Sequence, residues 1–326
     1  MNSLSLVYSV TNDYLPLVGV SLTSVFINNL DIFFNIYIMT TSESTNNKSK
    51  LQMLCNNKKC KLIYLSMEEC VQYFESAKVK DWKGSYATYC KWFAFDQVKE
   101  EICLYLDADV ICLNPIVNLP DKVECCAAVL DSCHPIYNKR INFKNDDRYF
   151  NAGVYLVNVN IWKKECVTKN ILNIINDKDD YLFADQDYWN IALKNKIEVM
   201  NPEFNYLAGY DIFGIEDSFD IYELDKKYFY TIDDIKHASN QVVFYHCLGA
   251  MTGRPWEKFN RHPIKKQYQL FLMESKLVSN NYIFKSKRKN TIFIIQFILY
   301  KILPRNIYKK IHKFQLKKYL MSEKKV

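Results

Sequence analysis

The chain has 326 residues, 49% of them hydrophobic, enough for one large core or two modest ones, which excludes a disordered polypeptide. Seven Gly and eight Pro, with no internal period, exclude collagen-like, linker-dominated and repeat architectures. Net charge is +7, but residues 285–325 hold thirteen Lys and Arg against Glu323 alone, a surplus of twelve that leaves the rest at −5. That asymmetry points to a polyanionic surface as partner of the tail.

Eleven Cys without a Cys-x-x-Cys pair lie mostly in apolar runs, as Cys103, Cys112, Cys125 and Cys126 do. They read as reduced core thiols of a cytosolic protein, and no structural zinc site is expected. The N-terminus lacks a basic leader and meets Asp13 early, and no stretch offers the roughly 20 apolar residues of a membrane span. The expectation is a protein that begins and stays on the cytoplasmic side.

Residues 4–10 read as a first strand, and Thr11, Asn12, Asp13 and Tyr14 as the loop at its carboxyl end. Leu15, Val18, Leu22, Val25 and Phe26 recur at helical spacing until Asn28 and Asn29 stop them. Strands over 33–39 and 62–65, with a helix over 48–55 between them, complete a βαβαβ opening. In such a nucleotide-binding half the first loop faces base and ribose, so Thr11, Asp13 and Tyr14 are candidates for hydrogen bonding and stacking. Asp13 as the cap of the following helix is an equal alternative. Lys91, within the run 86–95, reads on the residues alone as a solvated lysine on an amphipathic helix.

Residues 102–106 run apolar without a break, as does a strand buried on both faces of a mostly parallel sheet. Asp107 and Asp109 follow; in extended chain they point one way while Ala108 points back. Paired carboxylates at the carboxyl end of such a strand suit a hard divalent cation. A bare Asp-x-Asp also reads as a solvated strand exit, and the chain repeats that spacing at Asp177/Asp179 and Asp185/Asp187, so the buried strand before it supplies the specificity. Asp131 ends another apolar run, and His134, Arg140, Asp146, Asp147 and Arg148 form a polar loop beyond it. Small Ala152 and Gly153 permit close approach in a strand over 150–158, where Asn151 offers a donor and an acceptor. Asp185 is a natural helix N-cap, and His246 ends a last strand over 242–246. A lone His there is more often a hydrogen-bonded core residue than a ligand.

The run Leu104-Tyr105-Leu106-Asp107-Ala108-Asp109-Val110-Ile111 closely resembles the metal-binding segment of glycosyltransferase family 8, which includes glycogenin and bacterial lipopolysaccharide glucosyl- and galactosyltransferases. Further resemblances follow in family order: the Thr11–Tyr14 opening, the helix around Lys91, Asn151 to Asn158, Asp185-Gln186-Asp187, and His246 with Gly249 and Arg254. They cover roughly residues 4–258. The resemblance implies an α/β domain of the GT-A type over residues 1–258, nucleotide-sugar-binding and with a mostly parallel sheet, followed by a helical C-terminal region over 259–326. It implies that Asp107, Asp109 and His246 hold a metal. One imidazole with two carboxylates tilts preference from Mg²⁺ toward Mn²⁺. It further implies Asp131 and Asp185 at the donor sugar, Gln186 beside the anomeric carbon, and Asn151, Ala108, Lys91, Gly249 and Arg254 in the donor site. The family usually has Arg at the position of Lys91, and Lys, at a shorter spacing from the glycine, at that of Arg254. The implied reaction moves a hexose from a UDP-sugar to a surface-glycan acceptor with retention.

Two other classes fit parts of the pattern. A nucleotidyltransferase or phosphohydrolase would use the same carboxylates, but its glycine-rich phosphate loop and second carboxylate cluster are missing from the sequence. A catalytically silent homologue docked at membranes is the other. Residues 291–300 and the run with Ile307, Tyr308, Ile311 and Phe314 among lysines read as interfacial helices on an anionic membrane. Packing on the catalytic body and contact with nucleic acid are the competing readings, the latter without any nucleic-acid motif. Deleting residues 285–326 is expected, on the membrane reading, to release the protein and spare turnover.

Overall fold

The computed structural model describes residues 2–43, 45–82, 84–144, 146–177, 181–258, 260–277 and 290–322. The expected opening is present as β1 (Ser3–Ser9), α1 (Leu15–Asn28), β2 (Phe33–Thr40), α2 (Asn46–Cys55) and β3 (Cys60–Ser66). The three strands are parallel, with Leu6 beside Ile36 and Ile36 beside Leu62. α1 is buried all round from Leu15 to Phe26, beyond what its spacing implied. Its hydroxyls are satisfied inside: Ser21 with Tyr8 at 3.0 Å, and Ser24 Oγ accepting from the Cys112 amide at 2.8 Å.

α3 (Glu68–Ser76) and α4 (Ala87–Gln97) follow. Their contact corrects the reading of all cysteines as reduced thiols: Cys70 and Cys90 are disulfide-bonded, with Cα atoms 5.8 Å apart. The two residues meet across the seam of two helices, which no apolar run reveals. Of the nine others, Cys55, Cys103, Cys112, Cys125, Cys126 and Cys247 are free and buried.

β4 (Ile102–Leu106) pairs parallel with β1, but β5 (Val110–Cys112) belongs to a second sheet. The Asp107–Asp109 segment is therefore a turn, closed by the Val110 amide on the Asp107 carbonyl at 3.1 Å, and not extended strand. The carboxylates converge because the chain folds as it leaves one sheet for another, not through strand alternation.

β6 (Cys126–Leu130) and β7 (Phe150–Asn158) are antiparallel to each other, and β7 also runs antiparallel beside β4. α5 (Val159–Lys164), α6 (Val167–Asp177), α7 (Asp185–Ala192) and β8 (Ile197–Val199) complete the large sheet, in the order β3-β2-β1-β4-β7-β6-β8. Four of its six pairings are parallel. Then come β9 (Tyr206–Leu207), α8 (Gly209–Phe213), α9 (Ile215–Tyr222), α10 (Ile232–Ser239) and β10 (Phe244–His246), which builds the small sheet β5-β10-β9. α11 (Lys265–Ser275) packs on α1.

α12 (Asn290–Ile302) and α13 (Arg305–Leu320) pack on the body. Tyr300 and Tyr308 are buried with Phe213 and Met251, and the Tyr300 hydroxyl donates to the Phe213 carbonyl at 3.2 Å. Lys309 lies 2.7 Å from Asp220, and Lys317 2.8 Å from Glu223. Exposed pairs of this kind contribute little each, so buried aromatic area holds the helix. Leu320 is buried against Tyr137, Ile141, Phe143, Tyr149 and Leu182, and Arg140 donates to the carbonyls of Leu320 and Ser322 at 3.3 and 2.6 Å. The opposite face of α13 leaves Ile307, Ile311 and Phe314 exposed. Basic residues 285–289 and 324–325 lie outside the described residues. Among the described residues no helix is long and apolar enough to cross a membrane.

Candidate active site

The turn after β4 brings Asp107 and Asp109 to His246 at the end of β10, with one ligand atom from each within 4.8 Å of the others. The Asp107 amide donates to the Gly153 carbonyl at 2.8 Å, and the Tyr105 hydroxyl donates to its carboxylate at 2.7 Å. Ala108 is partly buried between two apolar clusters. The His246 Nε2 is 3.2 Å from Asp109, and Nδ1 is 3.2 Å from the Asn205 side-chain oxygen. That Asn205 oxygen is identified by its amide nitrogen, which donates to Asn151 Oδ1 at 2.8 Å. An acceptor at Nδ1 keeps the proton there and turns Nε2 toward Asp109, where it could bind a cation, as in metal-binding histidines. Two oxygen donors and one imidazole fit a divalent cation.

Electrostatics separate the carboxylates. Burial pushes Asp107 up to about 6, with Lys91 opposing and Asp109 reinforcing the shift. Burial also works to raise Asp109, but Arg254 and His246 outweigh it and hold the group well below the usual carboxylate range. Gly153 permits the approach of the His246 ring, since an added Cβ would sit 2.3 Å from Cε1 and 2.7 Å from Nδ1. Gly153→Ala is therefore expected to displace the imidazole and weaken Mn²⁺ binding about ten-fold or more, by titration calorimetry, the order lost when a metal site's supporting contacts go. Unchanged affinity would show that His246 is not a ligand.

Lys91 is fully buried, not solvated: Nζ lies 2.5 Å from Asp185, donates to the Ala152 carbonyl at 3.2 Å, and sits 4.6 Å over the Tyr105 ring. Asp185 also accepts from the Thr88 hydroxyl at 2.6 Å, and it is not the N-cap. Ala184, at φ +48°, takes that place, because the carboxylate turns to Lys91 and Thr88 and away from the helix amides.

Gln186 accepts from the Ala152 amide at 3.0 Å and donates to Asp131 and the Tyr149 hydroxyl, both at 3.1 Å. Asp131 also accepts from Asn151 at 2.7 Å; burial raises this carboxyl while the two donors pull it down. Asn151 is thus engaged on both sides within the protein. Arg254 donates to Asp109 and, at 2.8 Å, to the Cys247 carbonyl, with Gly249 packed beside its side chain. Asp13 and Tyr14 are exposed at the carboxyl end of β1 beside Thr11, and no side chain caps α1, so Asp13 does not serve as its cap.

Sequence reasoning passed over Asp187 and Tyr149. Asp187 is fully buried and accepts from Tyr149 and Tyr137, both at 2.6 Å, and from the Phe183 amide at 2.7 Å. The second Asp of Asp185-Gln186-Asp187 was the available signal; Tyr149 had none. Burial raises Asp187 to about 6 against the pull of those donors. An unfolded Asp titrates at about 4, so the folded chain binds the extra proton between the two values, and this group's stabilising contribution falls as pH rises through that window. Asp187→Asn is expected to remove part of that slope from Tm measured against pH. A slope unchanged from the wild type would place the titration at other groups.

A mostly parallel sheet whose central strand β4 ends in a carboxylate pair facing an imidazole from the small sheet is the arrangement of a GT-A type fold. The chain matches the profile of glycosyl transferase family 8 over residues 5–259 and belongs to that family. It is 29% identical over 283 residues to a lipopolysaccharide 1,2-glucosyltransferase of Escherichia coli K12, covering 83% of this chain and 78% of the relative. It is 24% identical over 277 residues to a lipopolysaccharide 1,3-galactosyltransferase of Salmonella typhimurium, covering 81% and 76%. Among solved structures, the galactosyltransferase LgtC in complex with donor and acceptor sugar analogs matches with a TM-score of 0.64 at 18% identity, covering 83% of this chain and 96% of that one. At that identity the likeness speaks for the fold.

Proposed function

We propose that the chain is a retaining hexosyltransferase that moves glucose or galactose from a UDP-sugar to a hydroxyl of a surface-glycan or glycolipid acceptor of the lipopolysaccharide or capsule type. The observation that carries this reading is the Asp107, Asp109 and His246 cluster beyond the carboxyl end of β4, together with the network of Gln186 and Asp131 and the ion pair of Asp185 with Lys91. Asp107, Asp109 and His246 would hold a divalent cation, Mn²⁺ with Mg²⁺ as the alternative, which would supply positive charge against the diphosphate. Lys91 and Arg254 add positive charge on the same side. Thr11, Asp13 and Tyr14 receive the base and ribose. Asp131, Asp185 and Asn151 order the sugar, with Ala108 and Gly249 in the donor wall.

The bond from the anomeric carbon to the phosphate oxygen breaks, one to the acceptor oxygen forms on the same face, and the acceptor's hydroxyl proton passes to the departing diphosphate. Gln186 is a poor nucleophile because its amide oxygen is neutral, so it stabilises an oxocarbenium-like state. Residues 1–258 form the catalytic domain and 259–326 the C-terminal region. The exposed Ile307, Ile311 and Phe314 with neighbouring lysines support peripheral association with the anionic inner face of the cytoplasmic membrane.

The test is Mn²⁺-dependent UDP release from a panel of UDP-hexoses with and without acceptor. Turnover of one donor is expected. No turnover and no donor binding would favour a silent homologue, and release of nucleoside monophosphate a phosphohydrolase.

A further inference from the structure

Gln186 enters the site with its amide orientation decided by its surroundings. The Ala152 main-chain N–H can only donate, so the atom 3.0 Å from it is the carbonyl oxygen, and the amide nitrogen must face Asp131 and Tyr149. The Tyr149 hydroxyl has a single proton. That proton goes to Asp187 at 2.6 Å, so the oxygen is left to accept from Gln186. Asp187 is itself held by Tyr137 and the Phe183 amide, and neither Tyr149 nor Asp187 is open to solvent.

We propose that Tyr149, with its hydroxyl direction set by Asp187, is a positioning residue that holds the Gln186 amide with its carbonyl oxygen toward the Ala152 side of the site. The inference rests on the reading of Gln186 as the group beside the anomeric carbon. The hydroxyl acts through Gln186 and touches no reacting atom. A second role is purely structural: the ring packs 5.9 Å from Tyr137 and against Ile141 and Leu320. Tyr149→Phe keeps the ring and removes only the hydroxyl.

The expected result is a fall in kcat of about ten-fold, the order that one hydrogen bond supplies, with KM for the donor within about two-fold. In a Gln186→Ala background there is no amide to orient, so the same change is expected to cost less than about two-fold. Equal losses in both backgrounds, or no loss in the otherwise wild-type protein, would overturn the proposal. Proton exchange of the Gln186 side-chain amide, assigned by its disappearance in Gln186→Ala, gives a reading independent of turnover. It is expected to quicken in Tyr149→Phe, and an unchanged rate overturns the assignment. If the wild type turns over no UDP-hexose, the proposed reaction fails while the exchange measurement still decides the role of Tyr149.

Discussion

Asp109→Ala is expected to lower Mn²⁺-dependent UDP release by about a thousand-fold or more, equivalent to roughly 4 kcal/mol of transition-state stabilisation. Asp109 is the member of the cluster touched by both His246 and Arg254, and it is held ionised by them. Its loss removes one of the three proposed ligands and leaves two positive or potentially positive groups facing each other without the anion between them. Metal affinity should fall with turnover, which calorimetric titration of Mn²⁺ against the variant would read directly. A variant that keeps wild-type metal affinity and turnover would remove Asp109 from the ligand set. Because Arg254 retains the Cys247 carbonyl as acceptor, the fold should survive, and circular dichroism checks that.

The second large effect is on stability. Lys91→Met preserves the apolar stem but strips the ammonium from between Asp185, the Ala152 carbonyl and the Tyr105 ring. The Asp185 carboxylate keeps its hydrogen bond from Thr88 yet loses its charge partner in a water-poor site. Breaking a buried pair from one side costs about 3–5 kcal/mol, whereas removing both charges costs far less. Lys91→Met should therefore show a Tm several degrees below the wild type, and adding Asp185→Asn should recover much of the difference. A single variant as stable as the wild type would mean that Asp185 finds another partner without loss.

The elements that carry these residues were legible wherever local pattern and tertiary role agree. The buried runs at β1, β4, β7 and β10 read as strands, with Asp107 and Asp109 just after β4 and His246 at the end of β10. What the local pattern missed is long-range. The turn at Asp107–Asp109 depends on β5 joining β10, more than 130 residues later in the chain. The Cys70–Cys90 bond depends on how α3 lies on α4, and Tyr149 gains its role only when α7 delivers Asp187 beside it. A solvated Lys91 stayed an open alternative because an amphipathic helix does not announce which neighbour covers its polar face. The lysines of α13 looked like a free basic run until their partners on α9 came into view.

The placement of Leu320 turns the C-terminal helix into a brace. Its outer side chains look away from the protein, while its last turn plugs the wall behind Tyr149 and is clasped by Arg140. Trimming the chain to make it less adhesive would pull that plug and loosen the ground on which Gln186 stands. Detachment from a surface and loss of turnover would then arrive together, and only replacing the outward Ile307, Ile311 and Phe314 with polar residues would part them.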